Sequence, residues 1–340
     1  MRALRIAGPR QAEVVLVTDP EPKAGELLIN VERVGICGTD VELYTGEMAY
    51  FAQGRTTFPL RLGHEWVGVV RQVGEGVDVS WLGKRVTGDT MLGCCDCERC
   101  NNAKSYLCEN RIELGITDGW DGALAEKMLI PVRYAFEIPA TISVTAAAMI
   151  EPAGNALRAV EACNLNEHQK VLILGAGTIG LLAAQFALAK KFDVYVASHR
   201  ESSLALARDV GVVHTSSLDE IIVGQDQIFD AVIDASSIDS IPNLALKKVV
   251  PGGRVVLIGL SSMPSIIDTR DAVLRDVAIV GILSASPGLK GAVEYFASGT
   301  VDPESLVSEV ISLEEVASRL EGIRGDGAGP GPKIHVDPRK

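Results

Sequence analysis

The spacing of apolar residues divides the chain into two parts of different character. Over the first 150 residues, short apolar runs such as 27–34, 67–73 and 127–130 are broken repeatedly by Gly, Pro and Asp. This pattern predicts short β-strands joined by turns, with few long helices. From about residue 153, apolar strand-like runs alternate with stretches of helical period. Such alternation is typical of a parallel sheet with helices on both faces.

The second part predicts individual elements. Helices are expected over 153–163, 179–190 and 201–210, and strands over 170–174, 193–197, 231–234 and 254–259. After residue 285 the pattern predicts a helix (289–298), a strand (310–312), a helix (313–320) and a last strand (333–336). The last fifty-odd residues are expected to return to the first domain, which would then comprise 1–152 and 286–340, with 153–285 as the second domain.

Length and charge narrow the class of protein. A chain of 340 residues exceeds what one hydrophobic core usually serves, so two domains are expected. Lys and Arg number 32 against 44 Asp and Glu, a formal charge of −12, which disfavours nucleic acid or an anionic membrane as partner.

The first residues contain no apolar core of signal length, so a cytoplasmic location is expected. The uncharged run 171–189 approaches membrane-spanning length, but its glycines indicate a strand, a turn and a helix instead.

Five of the seven cysteines fall between residues 94 and 108. Clustered thiols in a reducing compartment bind metal more often than they form disulfides. The spacing of Cys94, Cys97, Cys100 and Cys108 suits a tetrahedral thiolate site without an open position, which is a structural zinc site. Spacing favours Cys94 over the adjacent Cys95 as the ligand. The alternative is a group of buried or redox-active cysteines; Cys163, which is outside the group, is predicted to lie in the core.

A second set of potential ligands is scattered along the chain. Cys37 lies in Gly-Ile-Cys-Gly-Thr-Asp, His64 and Glu65 lie in Gly-His-Glu, and Glu151 precedes Pro152. Each residue alone is more typical of a structural hydrogen-bonding role. Together they offer sulfur, nitrogen and oxygen donors, the mixture expected of a catalytic zinc that keeps one position open.

A glycine-rich turn follows the predicted strand 170–174 and opens a helix. It reads Gly175-Ala-Gly177-Thr178-Ile179-Gly180. Glycines at this spacing permit a tight turn and close approach of the backbone to a diphosphate, and the helix N-terminus stabilises that anion. The turn therefore predicts a Rossmann domain that binds a dinucleotide.

The residues after the next strand bear on cofactor preference. NAD sites usually carry Asp or Glu at this strand end, to bind the ribose 2′-hydroxyl. This chain has Ser198, His199 and Arg200, and a guanidinium suits a 2′-phosphate. NADP is therefore favoured over NAD, with His199 a further candidate for phosphate or adenine contact. In the alternative, Glu201 reaches the ribose and Arg200 is solvated.

In combination, these motifs and Gly74-Glu-Gly-Val resemble the zinc-dependent medium-chain alcohol/polyol dehydrogenases, such as the sorbitol, threonine and glucose dehydrogenases. The resemblance covers nearly the whole chain. It implies an α/β protein with a GroES-like, mostly β catalytic domain and a doubly wound Rossmann domain. It also implies two zinc ions per subunit and a homodimer or homotetramer, in which strand 254–259 could pair across a two-fold axis.

The same resemblance implies roles for individual residues. Cys37, His64 and Glu151 would hold the catalytic zinc, with Glu65 a ligand that comes and goes or a neighbouring partner. Zinc would stabilise the alkoxide form of the substrate, and Thr39 would hydrogen-bond the reacting hydroxyl and pass its proton outward. Glu42 stands where relatives often carry a relay histidine. Either Glu42 continues the relay or the proton leaves through water.

The substrate class rests on the polar character of the expected pocket. Glu65, Glu151 and Asn155 favour a secondary alcohol or ketone of a sugar, polyol or cyclitol, and further candidates for contact are Thr39, Tyr44, Phe51, Arg55 and Trp120. The enzyme alternatives are an NAD-dependent amino-alcohol dehydrogenase of the threonine type and a simple secondary-alcohol dehydrogenase. A non-catalytic zinc- and nucleotide-binding sensor would be expected to lose Cys37, His64 or Thr39, and all three are present.

Overall fold

The computed structural model describes residues 1–224, 228–325 and 327–340. The chain divides into two compact units, one of residues 1–151, 307–329 and 333–340 and one of residues 152–306 and 330–332. Segment 286–306, which we assigned to the first domain, therefore groups with the second unit. The ring of Tyr295 packs edge-on against Phe186 and the amide of Asp302 donates to the side chain of Gln185, contacts that tie this segment to the second unit. The return to the first unit begins at residue 307.

The helices and strands follow in chain order. Up to residue 149 they are β1 (Arg2–Gly8), β2 (Gln11–Leu16), β3 (Glu26–Ile36), α1 (Gly38–Thr45), α2 (Ala49–Ala52), β4 (Glu65–Val73), β5 (Arg85–Gly88), β6 (Met91–Leu92), α3 (Glu98–Asn101), β7 (Ile112–Glu113), β8 (Lys127–Pro131), β9 (Ala135–Glu137) and α4 (Val144–Ala147). Next are α5 (Ile150–Ala162), β10 (Lys170–Leu174), α6 (Thr178–Ala189), β11 (Asp193–Ser198), α7 (Glu201–Asp209), β12 (His214–Ser217), α8 (Leu218–Val223), β13 (Phe229–Asp234), α9 (Ile241–Lys248), β14 (Val249–Leu257), α10 (Thr269–Leu274), β15 (Ala278–Gly281) and α11 (Leu289–Ala297). The last are β16 (Val307–Ile311), α12 (Val316–Leu320) and β17 (Lys333–Val336).

The first unit is built on a sheet with the strand order β16-β17-β3-β4-β5-β9, in which β8 also pairs with β3. The long central strand β3 places Leu27, Ile29 and Val31 in a core that continues through Trp66 of β4. Strand β17, from the end of the chain, lies antiparallel to the last residues of β3. The final residues of the chain are therefore brought beside the segment that leads into Cys37.

The second unit contains the parallel sheet that the alternating pattern predicted. Its order, β12-β11-β10-β13-β14-β15, is the 3-2-1-4-5-6 order of a doubly wound dinucleotide-binding sheet. The uncharged run 171–189 forms β10, the glycine turn and α6, as expected. Strand β14 is hydrogen-bonded to β13 on one side and β15 on the other. The expectation that strand 254–259 pairs across a two-fold axis is therefore wrong, because both of its edges are already occupied.

Among the described residues, no helix combines the length and the apolar character needed to span a membrane.

Candidate active site and metal centres

Three of the predicted ligands meet at the junction of β3, α1 and β4. The ligand atoms of Cys37, His64 and Glu65 lie within 4.8 Å of one another, and we call these residues the mixed-ligand cluster. Cys37 immediately precedes α1, and Glu65 begins β4 opposite Gly35 of β3. A Cβ atom on Gly35 would lie 2.1 Å from Oε2 of Glu65, so glycine at this position makes room for the carboxylate.

Asp40 contacts two members of the cluster, Cys37 and His64, a role that the sequence did not identify. Its side chain is fully buried; Oδ2 accepts a hydrogen bond from the amide of Cys37 at 2.8 Å, and Oδ1 lies 3.5 Å from Nδ1 of His64. This contact orients the imidazole and leaves Nε2 for a metal ion. Burial opposes protonation of His64, but Asp40 and Cys37 together hold its pKa well above the ordinary value. The donor set therefore favours a positive charge at this point.

Lys333 is a second residue that the sequence did not identify. Its ammonium donates to Oε1 and Oε2 of Glu65 at 2.8 and 2.6 Å and to the carbonyl of Ile36 at 2.9 Å, and only 3% of the residue is exposed. Burial disfavours the charged lysine, but Glu65 and Cys37 more than offset this and raise its pKa. Lys333 thus neutralises Glu65 and competes with a metal ion for its oxygens. Removing one partner of a buried ion pair of this kind lowers the free energy of unfolding by about 3–5 kcal/mol.

The remaining predicted residues of this site lie on α1 and α5. Thr39 is in the first turn of α1, and Glu42 is three residues later on the same face. Burial, and secondly the charge of Glu47, raise the pKa of Glu42. Glu151 is buried in the first turn of α5, outside the group of described residues whose ligand atoms lie within 4.8 Å. Its role as a zinc ligand stays a prediction.

Cys94, Cys97, Cys100 and Cys108 also come together, with sulfur atoms within 4.8 Å of one another. We call them the four-cysteine cluster. The sulfurs of Cys97 and Cys108 are 3.7 Å apart, which matches the edge of about 3.8 Å of a tetrahedron with Zn–S bonds of about 2.3 Å. The backbone amides of Asp96 and Cys97 lower the pKa of Cys94 to about 6, which favours the thiolate that a zinc ion binds.

The two remaining cysteines lie outside both clusters. Cys95 adopts a positive φ of 69° and directs its sulfur to the carbonyl of Gly93 at 3.2 Å. Cys163 is buried, its sulfur donates to the carbonyl of Ala159, and burial raises its pKa to about 12. Cys163 is therefore a core residue, as predicted.

The glycine turn between β10 and α6 has the geometry that a diphosphate requires. A Cβ atom on Gly180 would lie 1.8 Å from the carbonyl oxygen of Gly175, so a side chain there would open the turn. At Gly177, by contrast, nothing lies within 4 Å of the Cβ position. Helix α6 begins at Thr178, and Ile179 follows within its first turn. The turn thus leaves an open approach to the amides of a helix N-terminus, which fits a dinucleotide.

At the end of β11 the predicted 2′-phosphate residues are exposed or half-buried. The amide of Arg200 donates to the hydroxyl of Ser198 at 3.4 Å, and His199 lies between them. In the part of the chain that the structure describes, Arg200 forms no ion pair. Glu201, the alternative ribose ligand, pairs with Arg208 of the same helix. The arrangement leaves a guanidinium available at the point where the adenosine ribose lies in a Rossmann domain.

Comparison with known proteins gives consistent results for both halves of the chain. Residues 23–140 match the family model of the alcohol dehydrogenase GroES-like domain, and residues 178–298 match that of the zinc-binding dehydrogenases. The L-threonine 3-dehydrogenase of Photobacterium profundum is 34% identical over 276 residues, 78% of each chain. A zinc-binding dehydrogenase of Sinorhizobium meliloti 1021 bound to NADP superposes with a TM-score of 0.89 at 30% identity, covering 99% of each chain. An alcohol dehydrogenase of Escherichia coli CFT073 complexed with NADH gives 0.89 at 27% identity and the same coverage.

Proposed function

Because the chain belongs to the zinc-dependent medium-chain alcohol dehydrogenase family, we propose that it transfers a hydride between NADP(H) and a secondary alcohol or ketone of a sugar, polyol or cyclitol. The observation that carries this proposal is the mixed-ligand cluster, in which the half-buried Cys37 meets the buried His64 and Glu65. The relatives with known structures bind NADP in one case and NADH in another, so the preference for NADP rests on Ser198 and Arg200.

The chain's own residues supply the steps around the reacting hydroxyl. Zinc held by Cys37 and His64, with Glu151 as the proposed third ligand, would lower the pKa of an alcohol beside it. Thr39, in the first turn of α1, accepts the proton of the substrate hydroxyl and gives up its own hydroxyl proton. Glu42, which lies one turn later on the same face, receives that proton. Lys333 holds Glu65 through both carboxylate oxygens, which favours an open position for substrate over a closed set of ligands.

A substrate screen tests the proposed function. Zinc-loaded protein is mixed with NADP or NAD and with polyols, aldoses, cyclitols and amino alcohols, and reduced nicotinamide is followed by its absorbance. We expect oxidation of at least one polyhydroxylated class with NADP. If only amino alcohols react, the threonine-type alternative replaces our proposal, and if no class reacts with either cofactor, the proposed activity is refuted.

Replacing Arg200 with Ala tests the cofactor preference. Loss of charge-assisted hydrogen bonds to the 2′-phosphate is expected to lower kcat/KM for NADP by about 10- to 100-fold, with less than about a threefold change for NAD. Arg270→Ala, which removes an exposed arginine elsewhere in the same unit, serves as the control. A wild-type preference for NAD, or equal losses with both cofactors, would contradict the role given to Arg200.

Glu42→Gln is expected to change the pH dependence of stability. Because burial raises the pKa of Glu42 in the folded protein above its ordinary value of 4.5, the folded state resists its ionisation. Below pH 4.5 the wild type and the variant should melt alike. As pH rises through the ordinary value and then the raised one, the wild type loses stability relative to the variant.

Thermal unfolding between pH 4 and pH 8 measures this difference, with Glu75→Gln at an exposed position as the control. We expect the melting temperature of Glu42→Gln minus that of the wild type to grow with pH and to stay near zero for the control. A difference that shrinks with rising pH would show that the carboxylate is stabilised in the folded state. The same variant should lower kcat at neutral pH with little change in KM if Glu42 carries the proton.

We further propose that the protein is a cytoplasmic homodimer or homotetramer. Strand β15 is the outer strand of the second sheet, and exposed apolar side chains lie on it and beside it, at Val273, Leu274, Ile279 and Leu283. An unpaired strand edge with apolar neighbours is suited to pairing with a second copy. Light scattering of the eluted protein would give the mass that decides this.

A further inference from the structure

The first unit also contains a group of polar side chains around the buried Glu113, outside the mixed-ligand cluster and the four-cysteine cluster. Glu113 is 3% exposed and accepts hydrogen bonds from Nη2 of Arg55 at 2.9 Å, Nε of Arg111 at 3.1 Å and the hydroxyl of Tyr50 at 3.2 Å. The guanidinium of Arg55 also lies over the ring of Tyr50, 4.0 Å from its centroid. We call these four residues the Glu113 cluster.

The charges of the Glu113 cluster do not balance. An arginine side chain keeps its charge at all ordinary pH values, so two guanidinium groups face one carboxylate and leave one positive charge in excess. Both arginines bind the same oxygen, Oε1 of Glu113. Asp118, in the segment that follows, accepts from the amide and hydroxyl of Thr57 instead. The cluster is therefore suited to one additional anion.

Arg55 is the arginine that can reach such an anion. Its side chain is 31% exposed, against 16% for Arg111, and only its Nη2 is engaged by Glu113. Arg111 is further tied down by a hydrogen bond to the carbonyl of Cys108. Glu113 and Tyr50 thus hold the guanidinium of Arg55 in place and leave part of its edge exposed.

Backbone contacts join the segment that follows Glu113 to the residue that precedes His64. The segment after Glu113 returns against Gly63, the residue before His64: a Cβ atom on Gly115 would lie 2.9 Å from the carbonyl oxygen of Gly63. That same carbonyl accepts a hydrogen bond from the amide of Ala123 at 2.8 Å. The segment that carries Glu113 therefore packs against the start of the segment that carries His64 and Glu65.

Two buried hydroxyls border the Glu113 cluster and lack a hydrogen-bond partner in the described structure. They belong to Thr56, which follows Arg55, and Thr90, whose carbonyl accepts from the amide of Leu114. Buried hydroxyls are normally hydrogen-bonded, so a polar group that reached Thr56 or Thr90 would satisfy one of them.

We propose that Arg55 recognises an anionic oxygen group, a carboxylate or a phosphate, on the substrate. This inference rests on the proposed function and narrows its substrate class. The preferred substrates are hydroxy acids of the aldonate type or phosphorylated polyols, rather than neutral polyols. A fork of guanidinium donors binds such groups with two parallel hydrogen bonds, and a neutral polyol offers no group to balance the charge.

Binding without turnover tests the inference separately from the reaction. Zinc-loaded protein saturated with NADPH or NADH cannot oxidise an alcohol, so calorimetry can measure the binding of D-gluconate, sorbitol 6-phosphate and sorbitol in the same complex. We expect gluconate or sorbitol 6-phosphate to bind at least about tenfold more tightly than sorbitol. The stronger of the two anions identifies whether a carboxylate or a phosphate is preferred.

Variants assign any such preference to Arg55. Arg55→Gln should reduce the advantage of the anionic ligand at least about tenfold and leave sorbitol nearly unchanged. Arg85→Gln is the matched control, because Arg85 is 33% exposed and also pairs with a glutamate, Glu32, in the same unit. If Arg55→Gln does not fold, Arg55→Lys retains the charge and should weaken the preference without abolishing it.

The outcomes separate this inference from the proposed function. Equal binding of all three ligands, or a preference that survives Arg55→Gln, would refute the role of Arg55 even if a neutral polyol is oxidised. Failure of every anion to bind would refute it as well. Selective binding of an anion without oxidation of any substrate would support Arg55 and refute the proposed reaction.

Discussion

Replacing Cys37 with Ser is expected to lower kcat by at least about a thousandfold and to remove one of the two zinc ions that we propose for each subunit. A serine hydroxyl is not ionised at neutral pH and cannot replace a thiolate as a zinc ligand. Of the two remaining members of the mixed-ligand cluster, His64 and Glu65, Glu65 is a poor metal ligand because Lys333 already binds both of its carboxylate oxygens. Metal analysis and turnover measured on the same preparation would test both parts of the prediction.

A matched substitution separates loss of metal from general damage. Cys163→Ser changes a cysteine that is buried in the second unit and lies outside both clusters. This control should keep two zinc ions and most of the activity. If Cys37→Ser retained both ions and turned over at a rate near that of the wild type, the mixed-ligand cluster could not be the reaction centre.

Local signals in the sequence were sufficient where the residues concerned lie close together in the chain. The β10–glycine turn–α6 segment could be predicted because its apolar run, its glycines and its helical period are adjacent in the chain. The four-cysteine cluster could be predicted for a similar reason, since its members fall within fifteen residues. Where the chemistry depends on neighbours in the sequence, residue type and spacing carry most of the information.

The first unit shows where such reasoning fails. Lys333 and Glu65 are separated by 268 positions, and the antiparallel pairing of β17 with β3 is what brings them together. In the sequence, Lys333 is only a lysine at the start of a predicted strand, and nothing near it indicates a partner. Arg55 lies in the loop after α2 and Glu113 in the two-residue strand β7, and neither segment is long enough to show a periodic pattern. The boundary at 286 was misplaced because α11 is amphipathic, and its pattern does not show which unit its apolar face packs against.

Replacing Cys100 with Ser is expected to abolish binding of the zinc ion that we propose for the four-cysteine cluster and to destabilise the segment between β6 and β7. Strands β6 and β7 are two residues long and α3 has four residues, so regular hydrogen bonding contributes little to this segment. Structural zinc sites bind with apparent free energies of about 10–16 kcal/mol in small peptides, so loss of one of four thiolates should cost several kcal/mol. A cost of at least about 4 kcal/mol should lower the melting temperature by about 8 °C or more, unless the segment unfolds alone.

Zinc content, thermal unfolding and limited proteolysis distinguish these possibilities. Cleavage confined to residues 93–111 with an unchanged main transition would indicate local unfolding, and a lowered main transition would indicate that zinc stabilises the whole unit. Cys95→Ser is the control, because Cys95 lies in the same loop, its sulfur donates to the carbonyl of Gly93, and it is not a member of the cluster. It should keep both zinc ions. If Cys95→Ser lost an ion and Cys100→Ser did not, Cys95 would have to replace Cys100 in the ligand set.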